Sequence, residues 1–120
     1  MGAEILNVSD GVLTLKVRGQ LTQAELATAQ KAVGDIIGKQ GPLRILVLTE
    51  NFTGWERGAG WDDFSFQTQH DTSIERMAIV GERKWEDLAL MFTAKGLRKF
   101  PIEYFDTARL ADARAWLAEK

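Results

Sequence analysis

The pattern of apolar and polar positions predicts a β-hairpin at the start of the chain. Apolar runs at residues 5–8 and 12–18 flank Ser9-Asp10-Gly11, and an Asp-Gly pair between two such runs is typical of a hairpin turn. Apolar and polar residues alternate in the second run, with Leu13 on one face and Thr14 on the other. This alternation indicates a strand near an edge of the sheet that is covered on one face.

The best-marked helix start follows this hairpin. Thr22 and Glu25 have the spacing of a capping box, and apolar residues then recur at helical spacing as far as Ile37. Gly38 and Gly41-Pro42 are predicted to end the helix, because glycine is favoured after a helix and proline cannot continue it.

The segment from Leu43 to Thr49 is predicted to be the central strand. Its nearly continuous apolar run is typical of a parallel strand that is buried on both faces. The segment from Glu50 to Trp55 is interpreted as the loop that leaves this strand. Because ligands of open α/β sheets bind beyond the carboxyl ends of the strands, residues 50–63 are where a binding site is expected first.

The rest of the pattern completes an α/β fold in a single domain. It predicts helices at 60–69 and 85–95, strands at 74–80 and 101–105, and a last helix capped by Asp106. Pro101 favours an edge position for its strand, because proline lacks the N–H that a neighbouring strand would need. The order β-β-α-β-α-β-α-β-α predicts a mixed, mainly parallel five-stranded sheet with an N-terminal β-hairpin and helices on both faces.

Composition narrows the class of function. The 120 residues carry a net charge of −2, which provides no general attraction to nucleic acid. The absence of cysteine excludes disulfides and thiol chemistry, and it fits a reducing compartment. No apolar run approaches the roughly 20 residues of a transmembrane helix and the first residues do not resemble a signal peptide, so a cytoplasmic protein is expected.

Four short motifs follow one another in a specific order. They are Gly19-Gln20-Leu21-Thr22, Trp61-Asp62-Asp63, residues 74–81 followed by Trp85, and Tyr104-Phe105-Asp106. In this order and spacing the chain resembles, over nearly its whole length, the SpoIIAA-like family of small bacterial proteins. That family is similar in fold to STAS domains, which include anti-sigma factor antagonists, and to the lipid-carrying CRAL-TRIO domains. The resemblance implies a non-enzymatic module that binds a small apolar ligand and touches membranes.

One motif departs from the STAS pattern. Antagonists of that class carry a phosphorylatable serine in an Asp-Ser-Gly turn after the central strand, whereas the comparable segment here reads Asn51-Phe52-Thr53-Gly54-Trp55. Thr53 is the only candidate acceptor next to a glycine in that segment, which makes a phosphorylation switch a poor prediction for this chain.

Aromatic residues are dense between positions 52 and 66 and return in the predicted helix at 85–95. Aromatic side chains beyond the carboxyl end of a strand can form the wall of an apolar pocket. The residues predicted to line such a pocket are Phe52, Trp55, Trp61, Phe64, Trp85 and Phe92. The alternative is that these side chains roof the core, because large aromatic residues are usually buried by packing.

A second apolar strip, next to positive residues, is predicted on the outer side of the helix at 85–95. The residues predicted to contact a membrane or a partner are Leu90, Leu97, Lys84 and Arg98. Such a strip suits an anionic membrane surface or the groove of a partner protein, while a homodimer interface or burial under the last helix would use the same residues. Without an overall positive charge, contact with the inner membrane face should be weak and reversible.

Candidate catalytic chemistry is sparse. His70 is the only histidine, and the hydroxyl residues near it do not form a recognisable nucleophile elbow. One imidazole without spaced carboxylates does not predict a metal site, and no cofactor motif is present. The leading hypothesis is therefore an apolar-ligand module, followed by a STAS-like regulatory protein that docks another protein, with a His70-dependent enzyme third.

Overall fold

The computed structural model describes residues 3–9, 11–55, 74–87 and 100–119, except for the side chain of Trp55. The elements in these ranges are β1 (Ala3–Ser9), β2 (Val12–Leu21), α1 (Gln23–Gln40), β3 (Leu43–Trp55), β4 (Ile74–Gly81), a 3-10 turn (Arg83–Trp85), β5 (Ile102–Asp106), a second 3-10 turn (Thr107–Arg109) and α2 (Leu110–Ala118). The predicted helix at 60–69 and most of the predicted helix at 85–95 lie outside the described ranges.

The strands form one sheet in the order β1-β2-β3-β4-β5. The β1–β2 hairpin is antiparallel, and the pairs β2–β3, β3–β4 and β4–β5 are parallel. The predicted mixed, mainly parallel five-stranded sheet is therefore confirmed. So are the central position of β3 and the edge position of β5.

The two helices cover opposite faces of the sheet, because alternate residues of the central strand point in opposite directions. Ile45 of β3 packs in a cluster with Val33 and Ile37 of α1. Its neighbour Leu46 packs in a second cluster with Leu117 of α2. Burial of both faces explains why the sequence of β3 is apolar almost without interruption.

The first helix begins where the capping box predicts. The Thr22 hydroxyl accepts a hydrogen bond from the Glu25 amide at 3.1 Å, and the Glu25 carboxylate accepts one from the Thr22 amide at 3.1 Å. The helix continues through Gly38 and ends at Gly41, whose φ of 85° suits a residue without a side chain. Gly41 is thus the terminator, and the prediction that Gly38 also ends the helix is wrong.

The interpretation of Glu50–Trp55 as a loop is also wrong, because β3 continues through these residues to Trp55. A bulge at Asn51, where φ is 51°, lets the strand absorb extra residues before pairing with β2 resumes at Gly54 and Gln20. The bulge turns Phe52 toward α1, where it packs with Ala29.

The last helix is held to the sheet at its C-terminal end. Asp106 caps the 3-10 turn that precedes α2, accepting a hydrogen bond from the Ala108 amide at 3.0 Å, so it acts one element earlier than predicted. At the other end, the Arg76 guanidinium donates to the Trp116 carbonyl at 2.6 Å, and Arg44 donates to the carbonyls of the residues that follow. These arginines add donors to the last carbonyls of the helix, where the regular backbone hydrogen-bond pattern ends.

Gly81 ends β4 at a point of close approach between three strands. A Cβ atom there would lie 2.5 Å from the Tyr104 hydroxyl and 2.6 Å from the Thr49 hydroxyl. Both hydroxyls are fixed by bonds of their own: Thr49 donates to the Val80 carbonyl at 3.0 Å, and Tyr104 donates to the Glu82 carbonyl at 2.8 Å. The packing therefore requires glycine at this position.

Gly81→Ala is expected to lower the free energy of unfolding by about 1–3 kcal/mol, since an added methyl group in a packed site forces its neighbours apart. Gly38→Ala is the matched control, because a Cβ there meets nothing within 4 Å. It should raise stability by roughly 0.5–1 kcal/mol through helix propensity. Urea unfolding followed by circular dichroism measures both values, and a Gly81→Ala protein as stable as the wild type would contradict the packing argument.

Candidate functional site

An aromatic pair lies at the carboxyl ends of β3 and β4, where the binding site is predicted. The rings of Phe52 and Trp85 meet edge to face, with centroids 5.1 Å apart and planes at 72°. A Cβ atom at Gly54 would lie 3.4 Å from the Trp85 ring, so the indole rests against bare backbone. Phe52 is brought here by the β3 bulge and Trp85 by the 3-10 turn after β4.

The two rings differ in burial. Phe52 is 8% exposed and packs in a core cluster with Val17, Leu21 and Ala29. Trp85 is half-buried and lies against that cluster. Phe52 thus belongs to the core, and Trp85 forms the boundary between this core and the surface.

The structure brings together only part of the predicted aromatic set. Phe52 and Trp85 are in contact, and Trp55 ends β3, although its side chain is not described. The other predicted lining residues lie outside the described ranges: Trp61, Phe64 and Phe92. The same is true of Leu90, Leu97, Arg98 and His70.

Charged residues surround Trp85. Lys84, with 66% of its side chain exposed, places its Nζ 5.7 Å from the centroid of the Trp85 ring and 3.8 Å from the Glu82 carboxylate. Arg83 lies 3.9 Å from the carboxylates of both Glu86 and Asp106. Lys84 thus places a positive charge over the indole of the aromatic pair. The carboxylates of Glu82, Glu86 and Asp106 form an acidic group beside these two cations.

This acidic group affects Tyr104, whose hydroxyl lies beside Gly81. Burial raises the pKa of Tyr104 to about 12, and the negative charges of Glu86, Glu82 and Asp106 add to the effect. Both causes favour the neutral phenol, since a phenolate would be desolvated and repelled. Tyr104 therefore remains a hydrogen-bond donor throughout the neutral pH range.

On the opposite face, charges near the end of β2 compensate one another. Lys16 forms a hydrogen-bonded ion pair with Glu50, and Arg18 lies 3.3 Å from the same carboxylate. The Lys16 hydrogen bond and charge, followed by the charge of Arg18, lower the pKa of Glu50. Arg18 also lies 3.7 Å from Glu4. Lys16 and Arg18 therefore have anionic partners close to them. Thr53, which lies in the same strand as Glu50, is exposed.

A cleft of about 530 Å³ lies at the other end of the sheet, between the β1–β2 hairpin and the C-terminal turn of α2. Its wall includes Thr14, Arg44, Glu75, Arg114 and Leu117. Periodicity placed Thr14 on the less covered face of β2, yet the residue is only 3% exposed. The signal that could have indicated this cleft is Arg44, an arginine inside an otherwise apolar strand that must find partners when it is buried.

Two kinds of structural feature do not occur among the described residues. Within them, no three side chains among His, Asp and Glu are grouped as a metal ion would require. Within the same ranges, no helix has the length and apolarity needed to cross a membrane.

The strand order, the opening hairpin and the helices on both faces define an α/β protein whose fold is consistent with a STAS-like domain. The chain belongs to the SpoIIAA-like family, whose sequence model matches residues 12–118. This match confirms the resemblance carried by the four motifs.

The fold is also similar to that of a solved structure. An uncharacterised protein of the DUF3478 family from Shewanella loihica, with a SpoIIAA-like fold, superimposes with a TM-score of 0.72 at 23% sequence identity. The alignment covers 97% of this chain and 92% of that protein. No curated protein matches the sequence.

Tyr104 is the only tyrosine, so an ultraviolet absorbance titration reports on it alone. Its midpoint in the folded protein is expected at about 12 instead of 10. Because the folded-state pKa exceeds the unfolded value, the associated stability is present below pH 10 and is lost as pH rises to about 12. Glu86→Gln should lower the midpoint, and Glu75→Gln, at the other end of the sheet, should not. A midpoint near 10 with an unchanged circular dichroism spectrum would contradict the burial argument.

Proposed function

We propose that the protein is a non-enzymatic binding module that holds a small apolar, lipid-like molecule against the Phe52–Trp85 pair. The observation that carries this proposal is the edge-to-face contact of these rings at the carboxyl ends of adjacent parallel strands. Ligands of open α/β sheets characteristically bind at such strand ends.

The chemistry of the pair suits an apolar guest. Phe52 fixes one edge of the indole, and the backbone at Gly54 supports the ring, so Trp85 is held in a defined orientation. A rigid, half-buried indole offers apolar area to a ligand at little entropic cost. Lys84, which lies over the indole, would favour a ligand that carries an anionic group at one end.

The same end of the protein is proposed to make weak contacts with an anionic membrane surface. Lys84 is a described residue of this patch, and its exposed ammonium group is available to lipid head groups. The other members, Leu90, Leu97 and Arg98, lie outside the described ranges. A peripheral contact of this kind would let the module exchange an apolar ligand with the membrane.

The alternative function is that of a STAS-like regulatory protein that docks another protein. Leu6 favours this alternative. Among the described residues it is a large apolar side chain that is 45% exposed, and such a side chain suits contact with a partner protein. A bulge in edge strand β1 displaces Leu6 from the regular pairing with β2. Thr53 is exposed and could accept a phosphoryl group, but it lacks the Asp-Ser-Gly context of that class.

Native mass spectrometry of the protein purified from its host, followed by denaturation, is expected to release one apolar molecule per chain. Trp85→Ala should abolish this retention, because it removes the wall of the site. Trp116→Ala is the matched control, since Trp116 packs on Phe105 on the opposite face of the sheet. A protein that is empty in the wild type, or a folded Trp85→Ala variant that keeps its ligand, would contradict the proposal. An empty protein with a dimer mass would favour docking.

Co-sedimentation with anionic vesicles is expected at low salt and should fade as salt screens the charges. Lys84→Glu should weaken it and Leu90→Glu should abolish it. Lys39→Glu is the control with the same charge reversal, because Lys39 is exposed in the last turn of α1, at the opposite end of the sheet. If Lys84→Glu and Leu90→Glu sediment as the wild type does, the membrane contact is wrong.

A further inference from the structure

We propose that the cleft at the amino ends of the parallel strands is a second binding site, which takes a small organic carboxylate. The strands β1, β2, β3 and β4 all contribute to its wall, and the last turns of α2 close it on one side. Its volume of about 530 Å³ lies within the range of ligand pockets in proteins, roughly 300–1,000 Å³.

Thr14 contributes a hydroxyl group to this cleft. Thr14 is 3% exposed and forms part of the cleft wall. Its side chain makes no hydrogen bond to any residue in the described ranges. The hydroxyl can therefore donate a hydrogen bond to a ligand oxygen in the cleft.

The arginines of the cleft are held in different ways. Arg44 is anchored: its Nη1 donates to the Leu117 and Glu119 carbonyls, and its Nε lies 3.8 Å from the Glu75 carboxylate. Arg114, one turn before Leu117, is exposed and forms no ion pair within the described ranges. One cation is thus built into the wall, and the other is available to a ligand.

The charges of the wall select the charge of the ligand. Arg44 and Arg114 together oppose the single carboxylate of Glu75, which leaves the lining with one net positive charge. A monoanion balances this charge, whereas a dianion such as phosphate would leave the lining with an excess of negative charge. The planar guanidinium of Arg114 matches the two oxygens of a carboxylate.

The apolar part of the wall indicates an organic body on this carboxylate. Val12, Leu117 and Ala118 contribute apolar surface beside the polar groups. The aromatic pair lies at the other end of the strands and packs toward α1, whereas the cleft adjoins α2. The two sites are therefore separate, and the cleft does not depend on the function proposed for the aromatic pair.

The proposal can be tested by titrating the full chain with benzoate and with hexanoate, followed by amide chemical shifts and isothermal calorimetry. Saturable binding of at least one carboxylate is expected, with shifts at Thr14 and Leu117, while neutral benzamide should bind at least about tenfold more weakly. Arg114→Gln should weaken binding about tenfold, and Thr14→Val, which replaces the hydroxyl by a methyl group, about threefold.

Lys31→Gln is the control, because it removes one exposed positive charge from α1 on the opposite face. It should leave the affinity unchanged. The proposal is overturned if neither carboxylate saturates, if benzamide or inorganic phosphate binds as well as the carboxylates, or if Lys31→Gln weakens binding as much as Arg114→Gln. Because Arg114 is exposed, its variant tests the site without disturbing the core.

Discussion

Two arginine side chains that reach from the sheet to the end of α2 complete the second face of this fold. The helix has nine residues, fewer than the roughly 12–15 that an isolated helix needs to be even marginally stable. Arg76 both donates to the Trp116 carbonyl and stacks over its indole, with its guanidinium carbon 5.2 Å from the ring centroid. Positive charge at a helix C-terminus also opposes the helix dipole favourably. The buried cluster of Leu46, Ala78 and Leu117 exists because this helix is held in place.

The two ends of the sheet have contrasting chemistry. At the carboxyl ends, Phe52 and Trp85 form an apolar boundary, and Tyr104 supplies a neutral, half-buried phenol. At the amino ends, the Arg44 guanidinium donates to backbone carbonyls at the end of α2 and pairs with the Glu75 carboxylate. Polar side chains line an open cleft beside it. The sheet thus carries an apolar aromatic pair at one end of its strands and a polar cleft at the other, and each end depends on a different helix for its packing.

Much of the architecture could be predicted because the responsible signals are local. The Thr22–Glu25 box, the apolar run of β3 and the proline before β5 each indicate an element from a few neighbouring residues, and the structure has those elements in those places. The four motifs were sufficient to identify the family.

The predictions that failed depended on distant contacts. Glu50–Trp55 has the composition of a loop, yet pairing with the extended end of β2 keeps it in the sheet. Thr14 looks like a surface residue because its local pattern cannot show that the hairpin and α2 enclose it. Of the candidate site, the proximity of Phe52 and Trp85 could be predicted, since Phe52 lies near the end of β3, Trp85 follows β4, and these strands pair in parallel.

The bulge at Asn51 also constrains how the length of this segment can vary. Before it, Leu46 and Leu48 point toward α2, and simple alternation would send Phe52 the same way, but Phe52 packs on the α1 side. The bulge, and not regular alternation, therefore decides which face the phenyl ring occupies. Removing the bulged residue would restore alternation and leave the ring on the α1 side, whereas one extra residue in the regular part of the strand would send it to the opposite side of the sheet.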